Sequence, residues 1–186
     1  MIPTRYELLV IGDGTEQKIP ERLHTLRKQV RKSFKVKMAT DELEQFMKRK
    51  QKVFYPIWVV KLQVIAERKP FSPKITVITA FIDAISGHHQ LHTDAPSFEY
   101  IGAIGVKIPP KLSSVKQIEP YIANIKTHLN KKYMNKKPDY LIEDSFLSYM
   151  PLWEYEVKYR GLTKTFALNA TTGEPEQHLL NGRMTR

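Results

Sequence analysis

Cysteine is absent from the 186-residue chain, which excludes disulfides, thiolate zinc sites and a cysteine nucleophile and leaves the redox compartment open. Glycine is sparse, with eight residues, and none of them builds a phosphate loop. Gly12-Asp13-Gly14 ends a strand-like run, but Thr15-Glu16-Gln17 follows where a lysine before Ser/Thr would be needed. The longest nearly apolar run, around Val53 to Val60, is too short to span a bilayer. Met1-Ile2-Pro3-Thr4-Arg5 lacks the basic-then-apolar order of a signal peptide. A soluble, cytoplasmic protein with no transmembrane segment is expected. There is no Gly-x-Ser-x-Gly elbow and no His-Glu-x-x-His, so nucleophilic and zinc-protease chemistry find no motif. Acidic residues are outnumbered, 19 against 30 lysines and arginines, for a formal charge of +11.

What is present is ample material for a core: 41% hydrophobic residues, with two tryptophans, nine tyrosines and eight phenylalanines. The most ordered stretch is Pro151 to Gly161. There Trp153, Tyr155, Val157 and Tyr159 alternate with Glu154, Glu156, Lys158 and Arg160, the period-two pattern of a strand with one buried and one wet face. Arg160-Gly161 offers a turn, and Thr163 to Leu168 a return strand closing on Asn169-Ala170-Thr171-Thr172-Gly173. An earlier copy runs from Pro56-Ile57-Trp58 to Asp83-Ala84-Ile85-Ser86-Gly87, with a long loop through Lys69-Pro70-Phe71-Ser72-Pro73-Lys74 expected between its strands.

Each hairpin is preceded by a strand and a helical pattern. Leu23, Leu26, Val30 and Phe34 follow Pro20 at spacings of three, four and four, and Ile122, Ile125, Leu129 and Tyr133 follow Pro120 at the same spacings. These four pairs each differ by 99 positions, Trp58 and Trp153 by 95, and Gly87 and Gly173 by 86. A shorter helix is expected from Asp41 to about Lys50, capped by Thr40, and a polar connector from His88 to Ser97. The pattern predicts an α+β protein of two similar units, residues 1–90 and 91–186, each a helix packed on an antiparallel sheet, with both tryptophans in equivalent buried sites.

The hairpin resembles those of PepSY-like and other cystatin-like small α+β modules. Pro151, Trp153, Tyr159, Gly161, Asn169, Thr172 and Gly173 carry the resemblance in the second copy, and Pro56, Trp58, Asp83, Ser86 and Gly87 in the first. It implies a non-catalytic module in tandem, acting through an unidentified protein partner as an interaction or regulatory element, without a cofactor. The alternative is sequence-tolerant binding of nucleic acid or an anionic surface through basic helix faces, with Arg27, Lys28, Arg31, Lys32, Lys35, Lys48, Arg49 and Lys50 as the contact residues. His88, His92 and Asp94 are the one grouping with metal-ligand chemistry, set against the bland reading of a solvated connector. Gly102-Ala103-Ile104-Gly105 has the spacing of an RNA-clamping Gly-x-x-Gly loop but lies in a strand-like context.

Overall fold

The computed structural model describes residues 5–94, 96–134 and 136–184. It holds a large, mainly antiparallel sheet and four helices, in the order β1 (Arg5–Ile11), α1 (Ile19–Phe34), α2 (Thr40–Phe46), β2 (Met47–Arg68), β3 (Phe71–Asp83), β4 (His89–His92), β5 (Phe98–Ile104), β6 (Val106–Lys107), α3 (Val115–Asn130), β7 (Asp139–Tyr159), β8 (Leu162–Asn169) and α4 (Gln177–Met184). No helix among the described residues is long and apolar enough to cross a membrane.

The chain divides into two compact units, and they are not the contiguous halves 1–90 and 91–186. The first comprises Met1–Tyr55, Ser97–Ile108 and Tyr149–Arg186, the second Pro56–Pro96 and Pro109–Ser148. The exchange follows from the two long strands, β2 and β7, each of which begins in one unit and ends in the other. A helix of one half therefore meets the hairpin of the other.

In the first unit α1 lies on the β7–β8 hairpin. Leu26 and Val30 are fully buried against Tyr155, Val157, Phe166 and Leu168, with Leu23 and Phe34 packed alongside. Burying one such aliphatic side chain contributes about 1.5–3 kcal/mol, so the stripe at three- and four-residue spacing is what holds the helix. The hairpin register runs from Leu152–Asn169 to Tyr159–Leu162, with left-handed backbone at both turn residues, Arg160 (φ 48°) and Gly161 (φ 81°). Strand β5 pairs along the whole of β1, and Val10 meets Tyr149 of β7 in parallel.

In the second unit α3 packs Ile118, Ile122, Ile125 and Leu129 onto Trp58, Val60, Leu62, Val64, Ala80 and Ile82 of the β2–β3 hairpin. Val115 follows Ile19 by 96 positions, which sets Leu26 against Ile122 and Arg22 against Ile118, one turn short of the 99-residue correspondence. Tyr133 lies beyond the helix end, partly buried on the same core.

Four local expectations are corrected. The helix α3 starts at Val115, not Pro120, because Gln117 Oε1 accepts the Ser113 and Ser114 N–H groups (2.7 and 3.2 Å) and caps an earlier turn. The helix α2 starts at Thr40 with Ala39 as its N-cap and ends at Phe46; Lys48 to Lys50 lie on β2, where strand pairing overrides the helix propensity of lysine and arginine. The expected long loop is strand nearly throughout: Arg68 pairs Phe71, and the register shift between Ala66 and Arg68 takes up Pro73, which β4 leaves on an open edge. The His88–Ser97 connector likewise contains β4, paired to Ile82–Thr79.

One hydrogen-bond pattern occurs in both units. Ala84 N–H donates to Pro56 O (3.2 Å) and Ala170 N–H to Pro151 O (2.8 Å); Gly87 N–H to Asp83 O (2.8 Å) and Gly173 N–H to Asn169 O (2.9 Å). Lys111 N–H donates to Ala84 O and Gln17 N–H to Ala170 O, both at 2.9 Å. The Asp83 and Asn169 side chains accept from the backbone two residues on, at 2.8 and 3.0 Å. An acid and an amide thus do the same turn-forming work.

Candidate polyanion-binding surface

The site is built at the C-terminal end of α1. Arg31 and Lys32 occupy its last turn, where cations complement the helix dipole. Lys35 then turns left-handed (φ 55°), and the Val36 N–H reaches back to Arg31 O at 3.2 Å. This sharp reversal brings Lys37 round beside the helix. Lys28, Arg31, Lys32, Lys35, Val36 and Lys37 line a surface hollow of about 440 Å³. Five of the six are cationic and none is acidic. Two unit charges 4 Å apart repel by about 4 kcal/mol at an effective dielectric constant of 20 and about 1 in water, so the cluster is tolerated only because its side chains are exposed.

A second hollow of about 540 Å³ shares Lys32 with the first. Its other walls are Gln29 and Ser33 of α1, residues 163–166 of β8, and Gln177. Lys164 donates to Ser33 O and Oγ (2.8 and 2.9 Å), so its ammonium is held in place by neutral oxygens. Phe166, 5% exposed, also borders it.

Of the eight cations singled out in the sequence, Lys28, Arg31, Lys32 and Lys35 line the first hollow and four others do not. Arg27 ties α1 to α2, donating to Thr40 Oγ1 at 3.2 Å and lying 3.4 Å from His24 Nδ1. Lys48, Arg49 and Lys50 are strand residues; Arg49 donates to Gln51 Oε1 (2.5 Å) and Lys50 sits 4.6 Å above the Trp153 ring. Lys37, the last residue of the basic run that starts at Arg27, joins the hollow through the reversal at Lys35; Lys164 was missed, because only the packing of the hairpin against α1 brings it in.

Near the start of α1, by contrast, charge is compensated. Glu16 accepts from Arg22 (3.2 Å), Trp153 Nε1 (3.0 Å) and Lys52. Partial burial opposes ionisation of Glu16, but these donors outweigh it and hold the carboxyl below its usual range. Arg22 stacks 4.5 Å from the half-buried Trp153 ring, whose N–H is anchored on Glu16, as the Trp58 N–H is anchored on Leu112 O (2.7 Å).

The histidine grouping does not converge. His92 packs edge-on against Phe81 at 5.1 Å, His88 lies 6.4 Å from His89, and Asp94 is exposed in a bend. Among the described residues no three His, Asp or Glu side chains are placed to hold one metal ion. Burial, with the charges of His88 and His128, lowers the His89 pKa. Gly102 to Ile104 are part of β5, paired to β1, rather than an interhelical loop.

Fold and site together define an α+β protein with a cationic concave surface and no convergent acid, base and nucleophile among the residues lining it. No protein family, curated protein or solved structure matches the chain. The likeness to PepSY-like and cystatin-like modules rests on the hairpin residues alone.

Proposed function

We propose that this protein binds a polyanion, in a sequence-tolerant way and without catalysis, through the hollow at the end of α1. The observation that carries the reading is the lining itself: Lys28, Arg31, Lys32, Lys35 and Lys37 around one concavity with no carboxylate among them. A nucleic acid or another linear polyanion is preferred to an unidentified protein partner because a run of phosphates or sulfates matches five clustered cations, while a protein surface would have to supply as many acids in register. We also read the recurring turn and helix–hairpin bonds as an internal duplication, supported by six matched backbone hydrogen bonds.

The rival explanation is that these cations serve only the helix dipole. Removing Arg31 or Lys32 costs about 0.3–1 kcal/mol through the dipole in either case, so binding and not melting separates the two. A binding role predicts that Lys28→Gln, Arg31→Gln, Lys32→Gln, Lys35→Gln and Lys37→Gln together abolish binding to the wild-type ligand, whereas a dipole role alone predicts that wild type has no binding to lose. Fluorescence anisotropy with a labelled oligonucleotide, against salt, reads the binding. The log-log slope for a single strand is about −0.7 per phosphate neutralised, so about −3.5 if all five cations take part. No binding at low salt, or binding undiminished in the quintuple variant, overturns the proposal. Lys48→Gln with Arg49→Gln, which removes two charges outside the hollow, serves as a control expected to retain most affinity.

A further inference from the structure

Resting on the polyanion reading, we infer that the ligand is single-stranded nucleic acid, with phosphates along the cationic hollow and an unpaired base in the adjoining hollow of about 540 Å³. The two concavities share Lys32, so a backbone held in the first delivers its next substituent to the second. Their chemistry differs in the way a nucleotide's two ends differ. The first is all cation and one valine. The second is lined, besides Lys32 and Lys164, by the amide-bearing Gln29 and Gln177, by Ser33, and by Thr163, Thr165 and Phe166 of β8.

Amides both donate and accept, so Gln29 and Gln177 satisfy the edges of any base without selecting one. The volume lies within the range of small-molecule pockets, roughly 300–1,000 Å³. A polymer bearing charge alone has no group for this second space. A duplex keeps its base edges paired and its faces stacked, so it cannot fill it without unpairing. Gln177 Nε2 donates to Thr165 O at 3.0 Å and Lys164 is fixed on Ser33, so the wall is already assembled in the free protein. Preorganisation of that kind lowers the cost of ordering on binding.

The test uses the full chain and five probes: short oligothymidylate, short oligouridylate, an abasic oligomer with the same number of phosphates, a duplex of the same length, and heparin. Oligothymidylate and oligouridylate are expected to bind at least about fivefold tighter than the abasic oligomer at equal salt. Gln29→Ala and Gln177→Ala should each erase that preference and leave abasic and heparin affinity unchanged. Circular dichroism melting verifies that each variant is folded, and the wild-type comparison decides the question even without them. Equal affinity for abasic and base-bearing oligomers, tighter binding of the duplex, or a preference that survives both variants overturns the inference while leaving polyanion binding standing. Absence of binding to every probe overturns both. The thymidylate and uridylate arms distinguish DNA from RNA as the source of the strand.

Discussion

Glu176 has a strongly shifted ionisation. Burial beneath the start of α4 pushes its carboxyl up to about 7, helped by the neighbouring Glu174 charge and opposed by a hydrogen bond from Asn169; His178 Nδ1 lies 3.5 Å away. The folded carboxyl thus holds its proton more tightly than the unfolded one. Its stabilising contribution is complete below the unfolded value near 4.5 and is lost as pH rises through about 7. The loss is no more than about 3 kcal/mol and less with solvent screening. Urea unfolding between pH 4.5 and 8 should show this decline in wild type and a flatter profile in Glu176→Gln, which should be the more stable protein at pH 8. At the same scale, Gly87 (φ 76°) and Gly173 (φ 72°) occupy matching turns but face different neighbours. A Cβ at Gly87 would lie 2.1 Å from the Tyr121 ring, whereas one at Gly173 would meet the movable amide end of Gln17. Both alanine variants carry the left-handed penalty of about 1–2 kcal/mol, but Gly87→Ala adds overpacking of about 1–3 kcal/mol. If thermal unfolding finds Gly173→Ala the worse of the two, the ring is not the obstacle.

Among the elements, α3 carries a visible internal conflict. Pro120 is its sixth residue, past the first turn where a missing N–H is free of cost, and it leaves the Lys116 carbonyl without its helical donor. The helix persists because Ile118, Ile122, Ile125 and Leu129 are buried on the β2–β3 hairpin and Gln117 caps its start. Pro120 is exposed, so Pro120→Ala should restore the donor without disturbing the core. Proline costs about 3 kcal/mol in a helix interior and returns about 0.4–1 kcal/mol by stiffening the unfolded chain. A net stabilisation of about 2 kcal/mol is expected in chemical denaturation, and a destabilised variant would mean that the proline geometry is needed.

For the whole molecule, the composition of the two units makes a sharp prediction about cutting the chain. With α1 packed on β7–β8 and α3 on β2–β3, neither half of the sequence owns a complete core. A fragment ending at residue 94 keeps α1 but lacks Tyr155, Val157, Phe166 and Leu168, the side chains that bury Leu26 and Val30. Each half alone should therefore show the circular dichroism and collapsed amide dispersion of an unfolded or molten chain, while the two co-expressed should recover native spectra. Contiguous units at 1–90 and 91–186 would instead give two independently folded fragments.

Much of this was legible in the residues. The alternation from Trp153 to Tyr159, the three-four-four stripe of Leu23 to Phe34, the three-four spacing of Ile122 to Leu129, and the Asp/Asn-Ala-x-Ser/Thr-Gly endings each encode a local geometry, because side-chain periodicity reports which face of a strand or helix is dry. The cations Lys28, Arg31, Lys32 and Lys35 were legible for the same reason, being what an amphipathic helix leaves outside. Periodicity says nothing about which hairpin a dry helix face will meet. That choice was made by β2 and β7, long enough at 22 and 21 residues to carry the chain from one unit into the other, and it alone brings Thr163, Lys164 and Thr165 beside Lys32 and Ser33 to close the second hollow. Local sequence determined the elements and their buried faces; the partnering of those faces, and with it the site, is a long-range outcome that only tertiary packing decides.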